Sequence, residues 1–362
     1  MDVDTDQALR RELVRRWRLA LPTAAEIHRA RRRLHLKALF IVAVVGLSYW
    51  GLVIGNWGLL ARLASAAVLT TGLIATATSI MHDANHRAFF RSTRLNRLLS
   101  YVADGLGTSS WLWKFKHNVL HHGATNIEGV DSDIAQAPFA RLAPGQPWRS
   151  WHRHQHIYLW PLYGFFALKN LIIGDFRNLA SGEIGGQELR DRSGPGRVAG
   201  VLAGKLAHLG AFVVVPILFN PWWAVLAFYL SLSWLVGFAL AVTFQLAHCV
   251  EGMAFEDESA PHRGQDFVPH VLRTTSDVAS PLPVIGHAFR WLVGGLDHQI
   301  EHHLAPRLPH TAYRTVARRF REACEDLGVA HHRHPGIVAA VWSHARWLRQ
   351  MGQPTSSGLV PA

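Results

Sequence analysis

The chain has 362 residues, of which only 17% are charged while 49% are hydrophobic and 14 are tryptophan; a soluble chain would carry about a quarter charged residues, so one membrane domain fits better than two soluble ones. The formal net charge of +12 invites a nucleic-acid reading, but no nucleic-acid-binding motif is present. The basic residues gather instead at Arg10 to Arg18 and Arg29 to Lys37, directly before the first apolar run, which is how a cytoplasmic flank facing anionic lipid is charged.

Residues 1–36 read as a basic, helical cytoplasmic segment with no apolar core or cleavage site of a signal peptide, and residues 37–350 as the membrane domain. Four runs in it reach about the 20 apolar residues that a helix needs to cross a bilayer: Ala38 to about Leu60, Ala61 to Ile80, Val198 to Phe219 and Trp222 to Ala247. They pair into two hairpins, broken near Asn56-Trp57-Gly58 and at Asn220-Pro221, where proline stops the helix. An even number of crossings puts both termini on the basic, cytoplasmic face. Lys205 and His208 inside the third run are costly in lipid and are expected to face a neighbouring helix or lie near an end. Leu98 to Trp113, interrupted by Asp104, Gly105 and Gly107, reads as re-entrant or interfacial, and Ile157 to Ile173, which carries Lys169, as interfacial. Residues 251–283 read as a cytoplasmic loop, 284–296 as a further interfacial helix and 351–362 as a disordered tail. The two cysteines, Cys249 and Cys324, imply no disulfide framework and a reducing compartment; Cys249 reads as a buried thiol rather than a ligand.

Beside the apolar runs stand four histidine clusters: His82 with His86, His117 with His121 and His122, a lone His248, and His302 with His303. On a helix, positions four apart share a face, so His82 with His86 and His117 with His121 can each aim two imidazoles at one ion. The doublet His331-His332 looks like background. Eight imidazoles exceed what one ion can use, so two metal ions with a nitrogen-rich set of ligands are expected. Imidazole suits iron, copper, zinc or nickel; an apolar setting favours oxygen activation on a lipid-like substrate, where water must be kept from a reactive centre. A dizinc hydrolase is the alternative, although it would show more bridging carboxylates than these clusters hold. Asp83, Asp131, Asp133, Asp297 and Glu301 lie close enough in sequence to accept hydrogen bonds from metal-bound imidazoles.

The stretches Met81 to His86, Lys116 to Ile127, Gln245 to His248, and Gly294-Gly295-Leu296 running into Gln299-Ile300-Glu301-His302-His303-Leu304 together resemble the membrane-bound fatty acid desaturase family, in particular its bacterial branch of linoleoyl-CoA and front-end desaturases. Trp151 to Tyr158 and Leu162-Tyr163-Gly164 are also similar, so the likeness covers about residues 35 to 350. It implies an all-α integral membrane fold, with four transmembrane helices in two hairpins under a cytoplasmic helical di-metal cap, and an acyl chain threaded into a kinked tunnel. It also implies two iron ions, O2 as co-substrate, and electrons from an external donor, a ferredoxin or b-type cytochrome. The last cluster departs from the pattern, with Asp297 and His298 where an asparagine and an aromatic are usual. Gln299 matches the family position and is the favoured weak ligand or hydrogen-bond donor there, with His298 the competitor. The expected substrate is an acyl chain on CoA, carrier protein or lipid, and the expected location is the bacterial inner membrane. Hydroxylases, acetylenases and terminal-alkene-forming decarboxylases share this framework, and a non-catalytic metal- or lipid-binding membrane protein is the alternative of another class.

Overall fold

The computed structural model describes residues 3–189, 194–280 and 283–354. Helices dominate, and among the described residues strands are confined to two two-residue pairs, Glu183–Ile184 with Gln187–Glu188 and Asp277–Val278 with Arg333–His334. Among the described residues, four helices are long and apolar enough to cross a membrane: Ala24–Val53, Leu59–Asn85, Pro195–Ile217 and Trp222–His248. This is the expected pair of hairpins with shifted bounds.

The first helix shows why the bounds shift. Its 30 residues rise to about 45 Å at 1.5 Å per residue, against about 30 Å of hydrocarbon core. The basic stretch Arg29 to Lys37 is therefore its protruding first part rather than a separate segment. A capping box starts it: the Thr23 hydroxyl accepts the Glu26 N–H at 3.3 Å, and the Glu26 carboxylate accepts the Thr23 N–H at 2.7 Å. The second and fourth helices likewise run past their apolar parts, and their extensions carry His82 and His248.

The hairpin tips meet each other. Asn220 donates to the Val53 carbonyl at 2.9 Å, and Arg62 donates both to the Asn220 side chain and to the Leu52 carbonyl. The apolar window of the third helix is only 11% buried by protein, against 28% for each of the others, so its outer surface is left to lipid. Lys205 and His208 within it point inward. Lys205 reaches Asp175 at 2.5 Å and the carbonyls of Gly107 and Asn170; His208 lies between the Gly105 carbonyl and the Tyr229 hydroxyl. Tyr229 belongs to the fourth helix and Asp175 follows just after the second of the two segments expected at the interface; the three carbonyls come from those segments themselves. One breaks into Thr93–Ser100, Val102–Gly105 and Ser110–Trp113; the other is a pair, Ser150–Tyr163 and Phe166–Ser181, bent by 77°.

On the protruding side, the helix Val3–Ala20 packs Leu13, Trp17 and Ala20 against Val268, Val271, Leu272, Ile300, Val316 and Phe320. This corrects the reading of 251–283 as loop, because Phe267–Thr274 is a helix whose Val268, Val271 and Leu272 repeat at helical spacing into this core. Pro283–Leu292 follows as a helix. The chain then turns at Gly294 and Gly295, with φ of 63° and 73°, into the helix Gln299–Leu304. Any Cβ at Gly294 would lie 2.3 Å from the Thr78 carbonyl oxygen of the second membrane helix. Glycine is thus needed there twice over, for the left-handed backbone and for the close approach. The packed fold also reaches into the expected tail: Met351 is buried and its carbonyl accepts the Arg141 guanidinium at 2.9 Å. The rest of that tail, residues 355–362, lies outside the described residues.

Candidate metal centre

Two short π-helical stretches position the first two clusters. Thr76–Met81 leads directly into His82–Asn85, and Lys114–His121 carries the second cluster. A π-helix closes i→i+5 rather than i→i+4, so the His122 N–H bonds the His117 carbonyl at 2.9 Å and their Nε2 atoms come within 3.2 Å.

The eight histidines converge. Ring nitrogens of His82, His86, His117 and His302 all lie within 4.8 Å of one another, and those of His121, His248 and His303 form a second such group. His122 sits between the groups, its ring 4.5 Å from that of His302 and 4.3 Å from that of His303. The expectation that His117 and His121 serve one ion is modified by the π-turn. The four-imidazole group takes His117 without His121, although both also form a triad with Asp133.

Four of the outward nitrogens are anchored. Nδ1 of His121 meets Asp131 at 3.1 Å, that of His303 meets the Thr125 hydroxyl at 3.1 Å, that of His248 meets the Thr274 carbonyl at 3.2 Å, and that of His302 meets the Tyr313 hydroxyl at 3.2 Å. These contacts turn Nε2 inward. Nε2 of His82, His86 and His302 is buried with no hydrogen-bond partner in the protein, an arrangement costing about 1–3 kcal/mol per group unless something binds there. A divalent transition metal suits this donor set. Burial first, and then the neighbouring imidazoles, hold His86, His117, His122, His302 and His303 well below the usual histidine range, so their lone pairs are free for ligation. His121 goes the other way: burial disfavours its charge, but Asp131 and Asp133 outweigh burial and raise it.

The carboxylates sort into two sets. Asp83, Asp131 and Asp133 stand behind imidazoles: Asp83 is 3.7 Å from His82 and accepts from His310 at 3.0 Å, while Asp133 is 3.7 Å from His121 and pairs with Lys116 at 3.1 Å. Asp297 instead binds Arg290 at 2.8 Å. His298 lies outside both imidazole groups, 3.6 Å from Asp277, whereas Gln299 is buried on the same short helix as His302 and His303. Glu301 meets His331 at 3.1 Å. This corrects the reading of His331 as surface background, since its side chain is 2% exposed. Sequence reasoning also missed His310 and Tyr313. Their partners Asp83 and His302 are 227 and 11 positions away, and no local pattern announces either contact.

Below the histidines an apolar cavity runs from His82, Trp113 and Leu296 down between the membrane helices to Phe212, Tyr229 and His208. Trp113 stacks on His117 at 4.3 Å, closing the site on that side.

The molecule is thus an all-helical membrane protein whose protruding cap holds a nitrogen-lined site, fit for metal, above a cavity shaped for a hydrocarbon chain. The family model described as fatty acid desaturase matches residues 57–335, and the chain belongs to that family of oxidoreductases. It is 32% identical over 349 residues to the sn-1 linoleoyl-lipid 6-desaturase of Arthrospira platensis, covering 94% of this chain and 92% of that protein. The corresponding enzyme of Synechocystis sp. is 30% identical over 81% of each. The acyl-lipid (8-3)-desaturase of Physcomitrium patens is 29% identical over 88% of this chain and 66% of its own length.

Proposed function

We propose that this desaturase introduces a double bond into a lipid-linked acyl chain, using O2 and two iron ions held by His82, His86, His117, His121, His122, His248, His302 and His303. The observation that carries the reading is the cavity that opens on His82: the same imidazole lines the hydrocarbon space and belongs to the four-histidine group. Relatives named for lipid-linked substrates favour a lipid over a CoA or carrier-protein ester. Bound iron would supply the oxygen activation needed to attack an unactivated chain. Removing two hydrogens while O2 goes to two waters requires two further electrons, for which a separate ferredoxin or b-type cytochrome meeting the protruding cap is the fitting source. The basic flanks support a cytoplasmic position for that cap and both termini, and the proposed location is a bacterial inner membrane.

The protein's own part is to position and to exclude water. Met81, Leu106, Phe166, Leu240 and Phe244 line the cavity with hydrocarbon, so a chain entering it replaces water and presents its carbons beneath His82. The anchored Nδ1 atoms fix ring orientation and tautomer at His121, His248, His302 and His303. Gln299 is a weak ligand or hydrogen-bond donor beside them. Reconstitution with a reduced ferredoxin, O2 and a defined glycerolipid, followed by mass spectrometry of the acyl chains, should give a product lighter by two hydrogens. A product that gains oxygen, or O2 consumption independent of lipid, would contradict the reading.

A further inference from the structure

We infer a further divalent-cation site, sharing no residue with the imidazole centre, formed by Asp277, Glu301 and His331 with His298 alongside. Ligand-capable atoms of the first three lie within 4.8 Å of one another. Three segments bring them together. Asp277 begins the strand that pairs with Arg333–His334, its N–H donating to the His332 carbonyl at 3.0 Å, and its Oδ1 accepts the Ile300 N–H at 3.1 Å. Glu301 follows Ile300 on the helix that carries His302, but successive residues on a helix point about 100° apart.

The polar atoms here are buried and under-used. Asp277 is 1% and Glu301 0% exposed. Glu301 Oε1 faces His331 Nε2, but Glu301 Oε2, His331 Nδ1 and both ring nitrogens of His298 have no hydrogen-bond partner in the protein. Buried polar atoms are rarely left this way. The Arg290 guanidinium is engaged by Asp297, and besides the Ile300 N–H on Asp277 the side chains set against these two buried carboxylates are the imidazoles of His331 and His298. A divalent ion balances both carboxylates and accepts neutral imidazoles as ligands. The 3.6 Å between His298 Nδ1 and Asp277 Oδ2 is long for a hydrogen bond. It is close to the roughly 3.3 Å that separates ligand atoms around a tetrahedral ion with bonds of about 2.0–2.1 Å. Two carboxylate oxygens and one or two imidazole nitrogens, closed off from solvent, suit a structural zinc ion. Such an ion ties the helix of His302 and His303 to the segment around His331.

Elemental analysis of the full chain, purified in detergent from cells supplied with both iron and zinc, tests this. One zinc per chain should be lost on Asp277→Asn or His331→Gln while iron content stays unchanged. Zinc content that is the same in wild type and both variants overturns the site in favour of a buried ion-pair network. Should the variants fail to fold, anomalous diffraction from wild-type crystals at the zinc edge decides: a peak between Asp277, Glu301 and His331 supports the site, and none overturns it. Loss of the di-iron reading would appear separately, as missing iron with this zinc retained.

Discussion

Asn126 joins the segments that carry the histidines. It is one of two described non-glycine residues with positive φ, at 56°, a conformation asparagine tolerates better than most. Its side chain donates to the carbonyls of His248 and Ala254, and its N–H to Asp131, which in turn holds His121. Asp131→Asn keeps the shape but removes the charge behind His121, so metal affinity should fall about 10- to 100-fold, read by iron loss against a chelator; retention equal to wild type would show that Asp131 is only structural. The clustering of the eight histidines was legible in the sequence, because cluster and spacing are local properties. The roles of Asn126, Tyr313 and His310 were not, since each contact is set by the tertiary fold. His331 was misread for the same reason, as a doublet at position 331 says nothing of Glu301.

At the level of elements, the π-turns and the glycine turn decide which imidazole goes to which group. Sequence spacing assumed α-helical faces, and nothing in Lys114–His121 announces i→i+5 closure. Gly294→Ala should force strain of about 1–3 kcal/mol and push against the Thr78 carbonyl, displacing His302 and His303. Lowered iron content together with a lowered midpoint of thermal unfolding is the expected result; wild-type values for both would show that the turn relaxes freely. The N-terminal helix is a structural part of the cap. Trp17→Ala removes an edge-to-face contact with Phe320 at 4.9 Å in a well-buried position, and should destabilise the cap by about 3–5 kcal/mol, seen as faster proteolysis in that region. Phe267–Thr274 escaped the sequence reading because an eight-residue helix offers little more than two turns of periodicity among polar neighbours.

For the whole molecule, the two hairpins were legible because a bilayer imposes a length and a composition on every crossing. The cavity was expected only through the family resemblance and its lining was not legible, because Leu73, Trp113, Phe166 and Tyr229 come from segments far apart in the chain. Helices longer than the hydrocarbon core carry His82 and His248 on their extensions, while the cavity descends from His82 between the helices. In the proposed function, metal site and acyl chain meet at the membrane boundary, so what occupies that site is decisive. Iron counted per chain, in protein made with iron available and shown to desaturate lipid, tests it most directly. Two irons per chain, lost together with activity in His248→Ala and His302→Ala, is the predicted result; an active enzyme holding one iron or none would contradict it.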